Sequence, residues 1–153
     1  MSELDSIDNK ILKLLCNDGR ESISNIADEV GLSLPATAGR IKKLKEIGVI
    51  IGFKPIINSK MIGLDVTAFI TVYSESSKNF EKVVLNANSN KSIMKCYTTT
   101  GDGSHLLLVK VENTEKLEKL LRIIQEWPGV RRTQTQIVLS TYINSDSSTS
   151  IKD

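Results

Sequence analysis

The spacing of hydrophobic residues changes near residue 63, and this change divides the chain into two folding patterns. Before it, apolar residues recur at intervals of three and four, which is typical of amphipathic helices. After it, two helical runs alternate with four runs rich in β-branched and aromatic residues. A chain of 153 residues can form two small cores. Since a helical pattern is followed by a mixed pattern of strands and helices, the sequence predicts an α+β fold. We assign 1–49 to a helical domain, 50–63 to a hinge strand and linker, 64–144 to a second domain and 145–153 to a disordered polar tail.

Three helices are predicted in the first domain. The first covers about 6–16 and the second about 23–30, and the third begins after the cap candidate Ser33. Apolar residues of the third helix recur at i, i+4, i+7 and i+10, namely Leu34, Ala38, Ile41 and Leu44. A helix, a short helix, a glycine-containing turn and a longer capped helix form the order of a helix-turn-helix, whose last helix enters the DNA major groove.

The third helix carries most of the uneven charge of the chain. A net charge of +2 does not by itself indicate nucleic-acid binding, but residues 33–46 contain one acid and four cations, Arg40, Lys42, Lys43 and Lys45. A helical wheel puts Arg40 and Lys43 opposite the apolar residues, with Lys42 on one flank and Thr37 on the other. This pattern favours a DNA-facing helix, and the alternative is an ordinary three-helix bundle with a solvated basic face.

The segment "VIIGFKPIIN" at 49–58 is rich in β-formers and predicts a strand. Pro55 near its end indicates that this strand lies on a sheet edge or pairs with another chain.

From residue 64 the order of elements is βαββαβ, which predicts a ferredoxin-like unit with two helices on one face of an antiparallel sheet. The outward positions of the other face include, in some registers, Thr67, Phe69, Thr71, Tyr73, Cys96 and Val109, and too many of these are apolar to face water. A symmetric partner that covers this face is therefore expected.

Several classes of protein are excluded by what the sequence lacks. No apolar run reaches the roughly 18 to 20 residues of a membrane span, and the N-terminus has no signal-peptide pattern, so we expect a cytoplasmic protein without a membrane partner. Cys16 and Cys96 lie in apolar patterns that suit buried free thiols. The single histidine, His105, excludes a histidine-based metal cluster and is interpreted as structural; no metal or cofactor is expected. Asp102 with His105 is the only adjacent acid–base pair, so an enzyme is not expected.

Three stretches together resemble a known family: "LDSIDNKILKLLCNDGR", "GLSLPATAGRIKKLKEIGVIIGF" and "TTTGDGSHLLLVKV". In order and spacing they resemble the Lrp/AsnC, or feast/famine, transcription regulators over about residues 4–142. The resemblance implies an N-terminal helix-turn-helix (winged-helix-like) domain that reads double-stranded DNA. It also implies a C-terminal ferredoxin-like domain that dimerises and binds a small effector, usually an amino acid, in homodimers that can form octamers. The family's hinge strand matches 50–57. Shortly after it, Ser59 stands where many members carry proline.

In the family the recognition helix corresponds to Ser33–Glu46. The resemblance thus implies DNA contacts from residues with hydroxyl or cationic side chains, namely Ser33, Thr37, Arg40, Lys42, Lys43 and Lys45. Arginine can hold guanine through two hydrogen bonds, whereas lysines position the protein on phosphates. Ser33 is also expected to cap the helix.

The resemblance further implies an effector site between dimers. Its residues would be the loop Thr100, Gly101, Asp102, Gly103 and Ser104 and the last strand near Gln134, Thr135 and Gln136. A glycine-containing loop offers backbone N–H groups to a carboxylate. The alternative is that "GDGS" is only a hairpin turn. Many leucine-responsive members carry an acidic residue in place of Ser104 and an aromatic one in place of Gly103, which argues against leucine. Asparagine-type relatives carry a serine at the position of Ser104, which favours a polar amino acid.

The sequence therefore predicts a DNA-binding transcription regulator that responds to an amino acid through its assembly. An architectural DNA-binding protein without an effector is the alternative.

Overall fold

The computed structural model describes residues 4–142 and divides them into two compact units. The division falls between Ile56 and Ile57, inside the segment 50–63 that the sequence assigns to the hinge strand and linker. The tail predicted over 145–153 lies outside the described residues.

The first unit contains the three predicted helices, α1 (Ser6–Asn17), α2 (Ile23–Val30) and α3 (Leu34–Glu46). Each begins at a residue whose side-chain oxygen accepts a hydrogen bond from a backbone N–H of the first turn. These caps are Asp5, Ser22 and Ser33. The core of the unit is formed by Ile11, Leu12, Ile26, Ile41 and Leu44. The helix-turn-helix prediction is confirmed.

The buried side of α3 differs from the prediction. Thr37, Ile41 and Leu44 are buried, whereas Leu34 is 53% exposed. Positions 37, 41 and 44 are separated by four and three residues and so share one side of a helix. The core contacts α3 through Ile41 and Leu44, which leaves Leu34 of the first turn outside it.

Neither cysteine forms a disulfide, but only one of them is shielded from solvent. Cys96 is half-buried, and burial raises the pKa of its thiol. Cys16 is exposed, so the prediction of a buried thiol is wrong there. It lies in the last turn of α1, beside an exposed turn at residues 17–20.

The strand predicted at 49–58 is not present in the single chain, because residues 51–58 have no regular secondary structure. Ile51 is 96% exposed and Ile56 is 98% exposed. A strand requires a neighbour that completes its hydrogen bonds, and residues 4–142 provide none for this segment. Pairing with a second chain stays a prediction.

The second unit has the predicted βαββαβ order. Its elements are β1 (Val66–Ser74), α4 (Phe80–Ser89), β2 (Ile93–Thr98), β3 (His105–Val111), α5 (Thr114–Gln125) and β4 (Val130–Ile137). The sheet is antiparallel with the order β2-β3-β1-β4. This is the ferredoxin-like arrangement, so the α+β fold class is confirmed.

Alternate residues of the central strands point toward the two helices and form the core. Ile70, Val72, Leu107 and Val109 are fully buried there, together with Val83 of α4. The open face carries Phe69 opposite Leu108, and both are half-buried. Two positions expected on the open face lie instead on the helix-covered face: Val109 is in the core, and Cys96, which is opposite Leu107, packs against it. Strand register decides the side that a residue faces, and the sequence alone left it open.

Within residues 4–142, no helix has the length and apolar character that a bilayer crossing requires.

Candidate DNA-binding and effector sites

The start of α3 is fixed by Ser33, as predicted. Its Oγ accepts a hydrogen bond from the backbone N–H of Ala36 at 3.4 Å, and its side chain is exposed. Pro35 lies in the first turn, where its missing N–H costs no intrahelical bond. The hydroxyl of Ser33 can therefore cap the helix and still be reached from solvent.

Thr37 does not lie on the surface that the helical wheel gave it. Its side chain is fully buried, and its Oγ1 has no hydrogen-bond partner among the described residues. A side chain without solvent exposure makes no contact with DNA. The prediction of Thr37 as a DNA contact is therefore wrong for this structure.

Arg40 lies at the interface between α3 and the start of α1. Its Nη1 donates to Asp5 Oδ2 at 2.6 Å and to Asp8 Oδ1 at 2.8 Å. The side chain is 31% exposed. A hydrogen bond from the backbone N–H of Asp8, and then the Arg40 guanidinium, lower the pKa of the Asp5 carboxyl. Hydrogen bonds to Asp5 and Asp8 raise the pKa of Arg40.

Asp5 and Asp8 also form the capping box of α1, because each carboxylate accepts from the backbone N–H of the other residue. Arg40 therefore binds carboxylates that already hold the first turn of α1. These contacts give Arg40 a role inside the domain that the sequence prediction did not contain.

The three lysines of α3 are exposed. Lys42 Nζ lies 3.7 Å from Glu46 Oε1, and Lys45 Nζ lies 5.1 Å from the ring centroid of Phe53. Among residues 4–142, Lys43 takes part in none of the ion pairs and cation–π contacts. The lysines leave a positively charged surface along the second half of α3.

In the second unit, residues 99–104 connect β2 to β3 as a tight loop. The backbone N–H of Thr99 donates to Ser104 O at 3.1 Å, and Thr99 Oγ1 donates to Gly103 O at 3.1 Å. Gly101 has a φ of 94°, a conformation that side chains other than glycine rarely adopt. A Cβ added to Gly103 would lie 2.4 Å from Thr71 Cγ2, so this glycine allows close contact with β1.

Ser104 anchors the loop to β1. Its backbone N–H donates to Val72 O at 2.9 Å, and its Oγ lies 3.1 Å from the same oxygen. The same Oγ is 2.8 Å from Ser74 Oγ and 2.8 Å from His105 Nδ1. The predicted hairpin turn and a candidate ligand site therefore coincide in one loop.

A cavity of about 190 Å³ opens between this loop and the end of β1. It is lined by the loop residues Thr99, Gly101, Asp102, Gly103 and Ser104 and by Ser74, Ser76, Ser77 and Phe80. The second group was missed at the sequence level. The run "SESS" at the end of a predicted strand was the available indication, because neighbouring antiparallel strands bring the end of β1 beside the start of β3.

Gln134 and Gln136 of β4 lie on the open face of the sheet. Gln134 is opposite Thr71, and its Oε1 accepts a hydrogen bond from the Tyr73 hydroxyl at 2.9 Å. Gly103 and Gln134 thus both adjoin Thr71, whereas Gln136 is two pairs further along, opposite Phe69.

Thr135 lies on the other side of the sheet, opposite the buried Ile70. The sequence prediction grouped it with the two glutamines, but successive residues of a strand face opposite sides. Among residues 4–142, no cluster of three or more potential metal ligands exists.

A capped helix-turn-helix with exposed lysines, followed in the same chain by a separate α/β domain with a small polar cavity, is the organisation of a class of protein, the DNA-binding transcription regulators. Family models match both units: a winged helix-turn-helix DNA-binding domain over residues 4–51 and the Lrp/AsnC ligand binding domain over residues 67–148. The chain belongs to the Lrp/AsnC family. The resemblance found in the sequence is confirmed.

Individual relatives agree with this assignment. The HTH-type transcriptional regulator FL11 of Pyrococcus abyssi is 37% identical over 139 residues, which are 91% of each chain. The regulatory protein AsnC of Haemophilus influenzae is 33% identical over 147 residues, which are 95% of this chain and 98% of AsnC.

A solved structure agrees as well. The feast or famine regulatory protein of Mycobacterium tuberculosis, complexed with L-methionine, has 30% sequence identity and a TM-score of 0.87, and the match covers 93% of this chain and 96% of that one. The protein is therefore a DNA-binding transcription regulator of the Lrp/AsnC type, and its homologues are regulators rather than enzymes.

Proposed function

We propose that this regulator binds an amino acid at the loop 99–104 and that the bound amino acid changes how its dimers assemble on DNA. The observation that carries the proposal is the hydroxyl-lined cavity beside Asp102 and Ser104, inside the domain that matches a ligand-binding family model. The tuberculosis relative in complex with L-methionine supports an amino acid as the class of ligand.

The polar groups of the loop suit both ends of an amino acid. Among the described residues, the backbone N–H groups of Gly101, Asp102 and Gly103 donate no hydrogen bond to the protein. Neighbouring free N–H groups in a turn attract a carboxylate. The exposed carboxylate of Asp102 can accept from an ammonium group. Thr100, with Gln134 and Gln136 from β4, then remains to select the side chain. Ser104 lines the cavity, and its hydroxyl is bound to Val72 O, Ser74 and His105, so it holds the loop in place.

DNA contacts are proposed for the exposed polar groups of α3. The hydroxyl of Ser33 lies at the helix start, and Lys42, Lys43 and Lys45 follow along the solvent side. Lysines at these positions would bind phosphates and fix the register on the duplex. The contacts of Arg40 with Asp5 and Asp8 support a role in holding α3 against α1. This link would fix the orientation in which α3 meets DNA.

Two surfaces support a homodimer. The open face of the sheet carries half-buried Phe69 and Leu108, and the exposed Ile51 and Ile56 lie in a segment that lacks a strand partner within residues 4–142. A two-fold partner would cover both and would present two copies of α3 to successive half-sites. Assembly of dimers into octamers, and action in the cytoplasm, belong to the same proposal.

A bound amino acid can act only if its affinity differs between two assemblies or two arrangements on DNA. The effector role is therefore tested by isothermal titration of the protein with each of the twenty amino acids. Heat of binding from one of them supports the proposal. No heat from any of them, with DNA binding intact, would instead favour an architectural DNA-binding protein.

A further inference from the structure

We propose that His105 is a positioning residue for the ligand loop, because its Nδ1–H holds the Ser104 hydroxyl in the orientation that fixes residues 99–104 against β1. This inference rests on the proposed function of the loop. It assigns a role to a buried side chain that lies behind the cavity.

The Ser104 hydroxyl has three partners. Only one of them, Val72 O, is unable to donate, and this decides where the hydroxyl proton goes when all three bonds form. Val72 O is a carbonyl oxygen and can only accept, so Ser104 Oγ donates to it at 3.1 Å. The two lone pairs of Oγ then accept from Ser74 Oγ and from His105 Nδ1, each at 2.8 Å. All three interactions form together only when His105 carries a proton on Nδ1.

The alternative tautomer forms fewer hydrogen bonds. If His105 carried its proton on Nε2, Nδ1 would accept the Ser104 proton and the side-chain bond to Val72 O would be lost. Nε2 has no hydrogen-bond partner among the described residues in either case. The difference between the tautomers therefore lies at Ser104, and it favours the Nδ1–H form.

The imidazole is held rigidly in this place. His105 is fully buried, and its ring contacts the ring of Phe80 edge to face, with centroids 4.9 Å apart. Burial lowers the pKa of His105, which keeps the ring neutral. Since both Ser104 and Phe80 line the cavity, His105 touches two sides of the candidate ligand site from within the core.

The direct test is the tautomer in the full-length protein. His105 is the only histidine of the chain, so labelling with ¹⁵N-histidine reports this residue alone. Long-range ¹H–¹⁵N spectra should show a pyrrole-type Nδ1 and a pyridine-type Nε2. A pyridine-type Nδ1 in the parent protein would overturn the proposal.

Two substitutions separate the hydrogen bond from the packing. His105→Phe keeps an aromatic ring beside Phe80 and lacks a donor, whereas His105→Asn offers an N–H near the position of Nδ1. We expect the amides of Thr99 and Ser104 to exchange with solvent about tenfold faster in His105→Phe, and within about twofold of the parent in His105→Asn. The dissociation constants for L-asparagine and L-methionine, used as probes, should rise about fivefold in the Phe variant alone.

Val111→Ala serves as the matched control, since Val111 is buried at the other end of β3. It should lower the melting temperature and leave the exchange of the loop amides unchanged. Equal exchange in His105→Phe and the parent would contradict the positioning role, and if the Phe variant does not fold, the tautomer and the Asn variant decide. If neither probe binds the parent and none of the other amino acids does so, the proposed effector role fails, while the tautomer and the amide exchange still test His105.

Discussion

Arg40 of α3 donates from Nη1 to Asp8 Oδ1 of α1 at 2.8 Å, across 32 positions of sequence. The same nitrogen contacts Asp5, so one guanidinium joins the third helix to the capped start of the first. An arginine with these partners must release them before it can hold a guanine. The exposed lysines of α3 carry no such requirement beyond their contacts with Glu46 and Phe53.

Removal of this link should destabilise the helical unit. Arg40→Ala deletes charge-assisted hydrogen bonds to Asp5 and Asp8, and we expect loss of the part-buried bond to Asp8 to lower the free energy of unfolding by about 1 kcal/mol after allowance for solvent screening. Chemical denaturation measures this change. Lys42→Ala, which removes a 3.7 Å surface pair, is the control and should leave stability nearly unchanged. Equal stability of Arg40→Ala and the parent would show that the link is dispensable.

Acid should weaken the same link. The pKa of Asp5 is lowered in the folded protein from its ordinary value of 3.8, so its contribution to stability is present above that value and is lost as the pH falls through the lower, folded pKa. Asp5→Asn keeps a capping side chain and does not titrate. The stability difference between the parent and Asp5→Asn should therefore be constant above pH 3.8 and shrink below it. A difference that grows with acidification would contradict the assignment.

Lys43 should bind DNA phosphate without reading sequence. Lys43→Ala is expected to weaken binding to operator and random DNA alike and to reduce the salt slope by roughly one unit. Fluorescence anisotropy over a series of salt concentrations gives both values. Lys116→Ala removes one exposed lysine from α5 and is the charge-matched control. If the two variants had the same slope, α3 would not be the surface that meets DNA.

Thr37 should be replaceable by valine. Its buried Oγ1 has no partner among the described residues, so Thr37→Val removes an unsatisfied hydroxyl and keeps the shape of the side chain. We expect an increase in the free energy of unfolding of up to about 1 kcal/mol and unchanged DNA affinity. Loss of DNA affinity in a folded variant would restore Thr37 as a contact.

Gly103 should be required for ligand binding because of its distance to Thr71. A Cβ at Gly103 would meet Thr71 Cγ2 at 2.4 Å, so Gly103→Ala must shift either the loop or the Thr71 side chain that adjoins Gln134. The affinity for the amino acid found by titration should fall in this variant. Adding Thr71→Ser removes the obstructing methyl group and should recover affinity. A double variant as weak as the single one would indicate that the close contact is not the cause.

Helix periodicity and capping predicted the elements of this fold correctly. Apolar spacing located all three helices of the first unit, and Ser33 caps α3 as its position before Pro35 indicated. The βαββαβ order followed from alternation and from stop signals such as Pro128-Gly129. These features are local, and a single sequence carries them in full.

The errors concern features that depend on tertiary contacts. The buried side of α3 includes Thr37 because α1 and α2 define the core there. The polar side chain of threonine gives no indication in the sequence that this position is buried. Val109 and Cys96 were expected on the open face of the sheet and lie on the other, because register depends on pairing between distant strands. The predicted strand at 49–58 has no neighbour within residues 4–142.

The candidate sites were predictable only in part, because some of their residues come together through tertiary contacts. The family resemblance implied the loop Thr100–Ser104, and its glycines agreed with that placement, but Ser74 and Ser77 reach the cavity only through the pairing of β1 with β3. The partners of Arg40 come from a segment more than thirty residues earlier. Contacts between residues this far apart in sequence are set by the fold.

An amino acid bound in the second unit is proposed to alter how the helix-turn-helix unit occupies DNA. This effect is tested most directly by footprinting a DNA fragment selected by the protein, with and without a saturating concentration of the amino acid that binds in the titration. We expect the protected region to change in extent or in its pattern of enhanced cleavage, and we expect this change to disappear in Gly103→Ala while protection itself persists. An identical footprint in the presence and absence of the bound amino acid would contradict the proposed effect.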